Sequence, residues 1–381
     1  MRVIKEKSYQ ISLFHPYVSG RAIKEVVKVL KSKFIGQGPK IPEFEQKFAK
    51  KFSAKYAVAT SSCTASLHLA YILAGVKSGD EVAGPLFTAS PTWHPVLQMG
   101  AKPVFCDIKE NFTISPQDLE RKITKKTKAI VVVHYGGAMC DMEKIVNIAR
   151  KHNLPVIEDA AQSLGAKYRG KYAGTIGDYG CFSFQAIKYI TTVDGGMLTM
   201  KNKADYEKAK RLRWFGIDRD LKIKKAGQQL KDWERREMTY DVWEVGYKYH
   251  MNNFNAAIGM VHMEEIDKIL SHQKNLNNLY RKLLKGVEGL EFLPQKKGDT
   301  NWLMIVLIDR RDDFAKLLKK AGIETNTVHI RSDVYKVFKP YARGSFPNMD
   351  KFELKYLCLP MHPKITSAQV EKICSIIKRG W

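Results

Sequence analysis

From Tyr56 onward the chain alternates between two hydrophobic periods, and that alternation restricts what it can fold into. Residues 57–60, 81–85, 103–106, 129–134 and 155–158 are short apolar runs of strand length. Residues 64–73, 91–99, 116–123 and 142–152 lie between them and carry apolar side chains at helical spacing. Helices alternating with strands in this way predict an α/β protein with a mostly parallel sheet and helices on both faces. The residues with chemistry collect at the C-terminal ends of the strands: Ser61 and Ser62, Thr88, His134 and Asp159. Open sheets of this kind bind ligands at that edge.

The flanking regions add to this frame. Two helices, 18–30 and 41–52, precede the first strand, joined through the Gly/Pro-rich loop around Gly36-Gln-Gly38. After residue 196 a helix at 205–214 leads to a charged segment, 221–238, that reads as a surface excursion. A long helix over 255–284 opens the C-terminal part, where strands near 290–293 and 303–308 and helices at 313–321 and 367–378 suit a smaller α+β domain. The expected division is a large domain over 1–255, and the long helix with a small domain over 256–381.

Composition enters through what it excludes. No run of about 18 apolar residues is present to span a bilayer, and Met1 to Gln10 is charged where a signal peptide would be apolar. The six cysteines form no C-x-x-C pair and sit mostly in apolar settings, which suits reduced thiols in the cytoplasm and neither disulfides nor a metal site. The net charge of +25 invites a nucleic-acid partner. Against it, the lysines are scattered and no recognition motif occurs; a lysine-rich source proteome is the plain explanation, with steering of a polyanionic substrate as a further contribution.

The stretch Cys181-Phe-Ser-Phe-Gln-Ala-Ile-Lys188 puts a lysine on a turn behind an apolar strand, collared by Phe182, Phe184, Ile187 and Ile190. Burial favours the neutral amine, as a Schiff-base lysine requires. Taken alone, the stretch more readily describes a snorkelling lysine among 64 Lys and Arg. Two other stretches change that balance. Asp159 ends an apolar run, and Ser62-Cys63-Thr64 opens a hydroxyl-rich helix whose free N–H groups form an anion site. A lysine, a carboxylate and such a helix start are the parts that hold pyridoxal phosphate.

With Glu158-Asp-Ala-Ala-Gln162, Ser183-Phe-x-x-x-Lys188 and Asp194-Gly-Gly196 in this order, the chain resembles the DegT/DnrJ/EryC1/StrS family of pyridoxal-phosphate-dependent sugar aminotransferases. The likeness runs from Gly36-Gln-Gly38 to Leu359-Pro-Met-His-Pro363. It implies an aspartate-aminotransferase-like (fold type I) large domain with a mixed, mostly parallel sheet, and a homodimer with shared active sites. It implies that Lys188 is the Schiff-base lysine and proton shuttle, that Asp159 pairs with the pyridine nitrogen, and that Gln162 bonds the ring oxygen. Ser62, Cys63, Thr64 and Ser183 match the phosphate cup. Lysine at 188, where relatives that act as 3-dehydratases have histidine, implies transamination.

Three departures stand out. The family usually has a ring-stacking aromatic just after the threonine equivalent to Thr88, and here that residue is Ala89. Trp93, four residues on, and His134 are the candidates to cover the ring, Trp93 reading equally well as a core residue. Cys63 stands where glycine is usual. Lys248 replaces a phosphate-binding asparagine usually supplied by the neighbouring subunit, and a lysine serves a phosphate as a point charge. His329 and Arg331 lie in Thr327-Val-His-Ile-Arg331, which resembles a substrate-side motif, so they are expected at the sugar or its anionic carrier; an exposed charged loop is the alternative.

The implied reaction moves an amino group, from L-glutamate, to a nucleotide-linked 4-keto-6-deoxyhexose. Amination at another sugar position, or of a keto-octulosonate, is the alternative within enzymes. A basic nucleic-acid regulator with the same core is the alternative of another class, and would carry a winged-helix segment ahead of that core.

Overall fold

Seven strands make the central sheet: β1 (Tyr56–Thr60), β2 (Glu81–Pro85), β3 (Lys102–Cys106), β4 (Thr127–Val133), β5 (Val156–Asp159), β8 (Tyr179–Ser183) and β9 (Gly196–Met200). Their order is β1-β9-β8-β5-β4-β2-β3. A two-residue hairpin, β6 (Lys167–Tyr168) with β7 (Lys171–Tyr172), stands apart. The computed structural model describes residues 9–219 and 241–381, so the charged segment expected at 221–238 lies outside the described residues.

From β3 to β8 every pairing is parallel, while β9 is antiparallel to both β8 and β1. The sheet is therefore mixed and mostly parallel. The first strand, read as part of the parallel run, instead lies at the edge and pairs only with β9. Two antiparallel steps still leave β1 pointing the same way as β8, so the C-terminal ends of β1, β5 and β8 share one sheet edge.

Helices cover both faces for reasons visible in their composition. The helix α3 (Cys63–Leu73) has no charged residue, and every residue from Ala65 to Tyr71 is buried. It can only lie between other layers. The others are α1 (Gly20–Leu30), α2 (Lys40–Phe52), α4 (His94–Gln98), α5 (Pro116–Lys122), α6 (Met142–Lys151) and α7 (Lys203–Leu212). Of these, α6 buries Met142, Ile145, Ile148 and Ala149 and leaves its charges to solvent.

The C-terminal part has a three-stranded antiparallel sheet, β10 (Leu290–Phe292), β11 (Met304–Ile308) and β12 (Tyr356–Leu359), in that order. It packs with α9 (Arg311–Lys320) and α11 (Ser367–Ile377), and α10 (Pro347–Phe352) precedes its last strand. The 31-residue helix α8 (Asn253–Leu283) serves both halves. Its Ala256, Met263, Ile266 and Ile269 join the main apolar core, and its Leu276 and Tyr280 join a second one with Phe314, Leu359 and Ile373. No helix among the described residues is long and apolar enough to cross a membrane. All six thiols are free.

Candidate active site

The shared edge gathers a cavity of about 360 Å³. Ser62, Cys63 and Thr64 come to it from the start of α3, Asp159 from the end of β5, Ser183 from the end of β8, and Gly195 from the turn ahead of β9. Lys188, Gln162, Trp302, His329 and Tyr335 complete the wall. The volume lies in the range of ordinary small-molecule sites, roughly 300–1,000 Å³.

Strand alternation separates the two adjacent acids of β5, because consecutive side chains point to opposite faces. Glu158 turns away from the cavity and is fully buried. It accepts the N–H groups of Gly174, Ile176 and Gly177 at 3.0, 2.7 and 2.6 Å. His134 Nε2 lies 2.8 Å from it, and the Cys140 amide donates to His134 Nδ1 at 3.2 Å, so the Nε2 proton goes to Glu158. Burial pushes the Glu158 carboxyl up, but His134 and these amides outweigh it and hold the group below its usual range.

Asp159 turns the other way, into the cavity, at 5% exposure. Thr92 Oγ1 donates to its Oδ2 at 2.8 Å, and the Ala161 amide to its Oδ1 at 3.1 Å. Thr88 Oγ1 lies 2.8 Å from Thr92 Oγ1; since the Thr92 proton is given to Asp159, Thr88 donates to Thr92. Burial raises the Asp159 pKa, and Thr92, Ala161 and Lys188 only partly oppose it. A buried carboxylate bonded by neutral groups fits a cationic ring nitrogen, which would supply the missing charge.

Lys188 is enclosed. Burial pushes its ammonium down to about 8, with Asp159 pulling the other way. Its Nζ lies 3.4 Å from the centroid of the Trp302 ring.

The remaining walls fit a phosphorylated pyridine. The first N–H groups of α3 have no partner within the helix and face the cavity with the Ser62 and Thr64 hydroxyls. Gly196 lies against this turn so closely that a Cβ would stand 2.5 Å from the Ser62 carbonyl oxygen and 2.7 Å from the Cys63 nitrogen. The close approach at this turn is made by Gly196. Gln162 Oε1 accepts from the Gly136 amide at 2.8 Å, which leaves its NH₂ as the donor for a cavity ligand. Among the described residues no group of His, Cys, Asp and Glu is placed to hold a metal ion.

Several expected site residues lie elsewhere. Trp93 is fully buried but packs edge-on against Phe105, with ring centroids 5.3 Å apart, and does not line the cavity. The expectation required a helix from residue 91. Instead Ser90–Thr92 is a single tighter 3-10 turn and α4 starts at His94, so the four-residue spacing from Ala89 to Trp93 no longer shares a face. It is Thr92 that meets Asp159. His134 is likewise no ring cover, because it is spent on Glu158 on the other side of the sheet.

Arg331 is also outside the cavity. Its guanidinium bonds both oxygens of Asp333 at 2.7 Å, Asp350 at 2.5 Å and Glu353 at 3.0 Å. Three carboxylates occupy the fork, so Arg331 anchors the segment that carries His329 and Tyr335 to the wall. His329 does line the cavity, and its Nε2 is buried with no hydrogen-bond partner among the described residues. Burial and Lys188 push its pKa down to about 3, so the ring is neutral.

Lys248 does not line the cavity of its own chain. Its segment runs beside the end of β1, with the Ser61 amide donating to the Tyr249 carbonyl at 2.6 Å and Thr60 bridged to His250. Tyr247 and Tyr249 stack on one side, 4.9 Å apart. Alternation sends Lys248 to the other, where Nζ sits 3.8 Å from the centroid of Trp214.

Trp302, Tyr335, Thr92 and Gln185 also reach the cavity and were not expected there. Thr92 alone had a local cue, the Ser90-Pro91 pair that ends regular helix.

Residues 16–378 match the DegT/DnrJ/EryC1/StrS aminotransferase family. The chain is 34% identical to GDP-perosamine synthase of Escherichia coli O157:H7 over 372 residues, 96% of this chain and 97% of that one. It superposes on AtS13 from Actinomadura melliaura with a TM-score of 0.89 at 33% identity, over 98% of this chain and 100% of that one. The PLP form of the putative sugar aminotransferase Spr1654 from Streptococcus pneumoniae gives 0.88 at 26% identity, over 97% and 98%. The chain thus belongs to the DegT/DnrJ/EryC1/StrS family, and it is a pyridoxal-phosphate-dependent sugar aminotransferase.

Proposed function

We propose that this cavity passes an amino group from L-glutamate to a nucleotide-linked 4-keto-6-deoxyhexose, giving a 4-amino-4,6-dideoxy sugar nucleotide. The observation that carries the reading is a lysine of lowered pKa sharing one cavity with a buried carboxylate, Lys188 with Asp159. The choice of sugar rests on two relatives, the GDP-perosamine synthases of Escherichia coli O157:H7 and Vibrio cholerae, 34% and 31% identical, perosamine being a 4-amino sugar.

When bound, pyridoxal phosphate supplies an electron sink that lets a proton leave the α carbon of an amino acid. The chain's residues do the rest. Asp159 keeps the ring nitrogen charged, held in aim by Thr92 and the Ala161 amide. Lys188, neutral in an appreciable fraction near neutral pH, takes the proton and returns it one atom away. Ser62, Thr64 and Ser183 donate to the phosphate. His329 offers its unpartnered Nε2 to the substrate. The test is mass spectrometry of products from a panel of nucleotide-linked keto sugars with L-glutamate. A 4-amino product from a 6-deoxy-4-keto substrate is expected; amination only at another carbon, or only of an octulosonate, refutes the assignment.

The site is shared in this reading. Lys248 lies outside its own cavity, so it is offered to the cavity of a second copy. An apolar stripe supports a second copy: Ile23, Val27 and Leu30 are 56%, 44% and 52% exposed on one side of α1, and Phe34, Ile35 and Trp243 are exposed as well. Lys188→Ala and Lys248→Ala proteins, each weak or inactive alone, should recover activity when their subunits exchange. Each mixed dimer then has one site with both defects and one with neither, so activity should approach half per mixed dimer. Proven exchange without recovery removes Lys248 from the site.

A further inference from the structure

Trp302 lies on the stretch that leads into β11, outside the central sheet, yet it forms the surface on which Lys188 rests. Its ring is 1% exposed and lines the cavity. The indole Nε1 donates to the carbonyl of Ile187, the residue before the lysine, at 3.0 Å. The Trp302 amide donates to Gly136 at 3.1 Å, Phe14 stacks on the ring at 5.7 Å, and His329 lies nearly parallel to it at 6.4 Å. The ring is thus held by one hydrogen bond and two ring contacts, and its backbone by another bond. Lys188 Nζ stands 3.4 Å from its centroid and makes no hydrogen bond among the described residues. The indole face is thus a direct contact of that ammonium.

We propose that Trp302 is the positioning residue for Lys188, holding its ammonium on the indole face whenever the amine is not joined to the cofactor and setting the pH at which that amine becomes reactive. The inference rests on the reading of Lys188 as the cofactor lysine. Cofactor uptake exposes it directly. The neutral amine attacks the aldehyde carbon of pyridoxal phosphate, a carbon–nitrogen double bond forms, and the two amine protons leave with the aldehyde oxygen as one water. Only the uncharged amine can begin this. A ring face favours the charged form, while burial opposes it. The other titratable groups around the amine are Asp159 from β5, Cys63 from α3, Asp194 ahead of β9, and His329 and Tyr335 from the C-terminal segment. Substitution of Trp302 removes none of these groups, although His329 loses its ring neighbour.

The experiment strips the cofactor from the full-length protein and follows its uptake by absorbance as pH is varied. Rates should rise with pH through a midpoint that reports the Lys188 amine. In Trp302→Leu the midpoint should fall by about half to one and a half pH units, the size of a cation–π contact in a desolvated site. Trp302→Phe, which keeps a ring face, should stay closer to the parent. Because the leucine variant is open to misfolding, the parent protein grown with fluorinated tryptophan gives a second reading. Fluorine withdraws charge from the ring face at almost constant shape, so the midpoint should fall stepwise with fluorine number. An unchanged or raised midpoint in the fluorinated protein overturns the inference. Borohydride reduction and peptide mapping of the reloaded proteins separate the two levels: a pyridoxyl label on a lysine other than Lys188 overturns the cofactor-lysine reading itself.

Discussion

Lys188→Ala protein should show no measurable transamination, a loss of about 10⁴-fold or more. Two functions leave with the side chain, attachment of the cofactor and proton transfer, and positioned proton transfer alone contributes up to about 10⁴-fold. The fold should survive. The Lys188 ammonium makes no hydrogen bond among the described residues, and removing a charge that desolvation penalises relieves a cost. Lys188→Arg should not restore activity, because a guanidinium stays charged at every working pH. Borohydride treatment of the parent protein should leave a pyridoxyl group on the peptide containing Lys188 and on no other. Residual turnover within tenfold of the parent, with an intact circular dichroism spectrum, would refute the assignment.

Asp159→Asn should lower kcat by about 10² to 10³-fold, equivalent to about 3–4 kcal/mol of preorganised charge. The substitution keeps the shape. The amide oxygen can still accept from the Ala161 N–H, and Thr92 can accept from the new NH₂, so both contacts to the carboxylate have substitutes. What disappears is the negative charge beside the ring nitrogen. Stability runs the other way. Burial raises the Asp159 pKa in the folded protein, so its ionised form costs folding free energy near neutral pH. The Asn variant should therefore melt no lower than the parent in the absence of cofactor. A kcat near that of the parent refutes the role, and a marked fall in Tm would make the residue structural.

Part of the cavity wall was legible in the sequence. Asp159, Gln162, Ser183 and Lys188 stand at strand ends or on tight turns within one stretch, and Ser62, Cys63 and Thr64 open one helix. Each has a local signal, because strand ends, helix starts and an apolar collar are all written within a few residues. The α/β alternation is legible for the same reason, since a buried parallel strand and an amphipathic helix each announce themselves by period. The placement of β1 was not, because pairing partners depend on residues far along the chain.

Three expected site residues lie elsewhere for two reasons. Trp93 was placed by helical arithmetic over a stretch where Pro91 and the 3-10 turn Ser90–Thr92 change the period, so the tryptophan went to the core and Thr92 to the carboxylate. His134 and Arg331 were judged by type, but a histidine or arginine serves whichever acid it meets, and Glu158 and the trio Asp333, Asp350 and Glu353 met them first.

What local sequence determined, then, is the frame: the order of strands and helices, the helix start that can hold an anion, and the lysine and carboxylate on one sheet edge. What only the tertiary structure decided is which side chains from outside that frame close the cavity. Trp302, His329 and Tyr335 come from the C-terminal part, carried across by α8 and clamped by Arg331. Their arrival depends on two apolar cores packing together, and such long-range packing leaves no periodic trace in the residues it brings together.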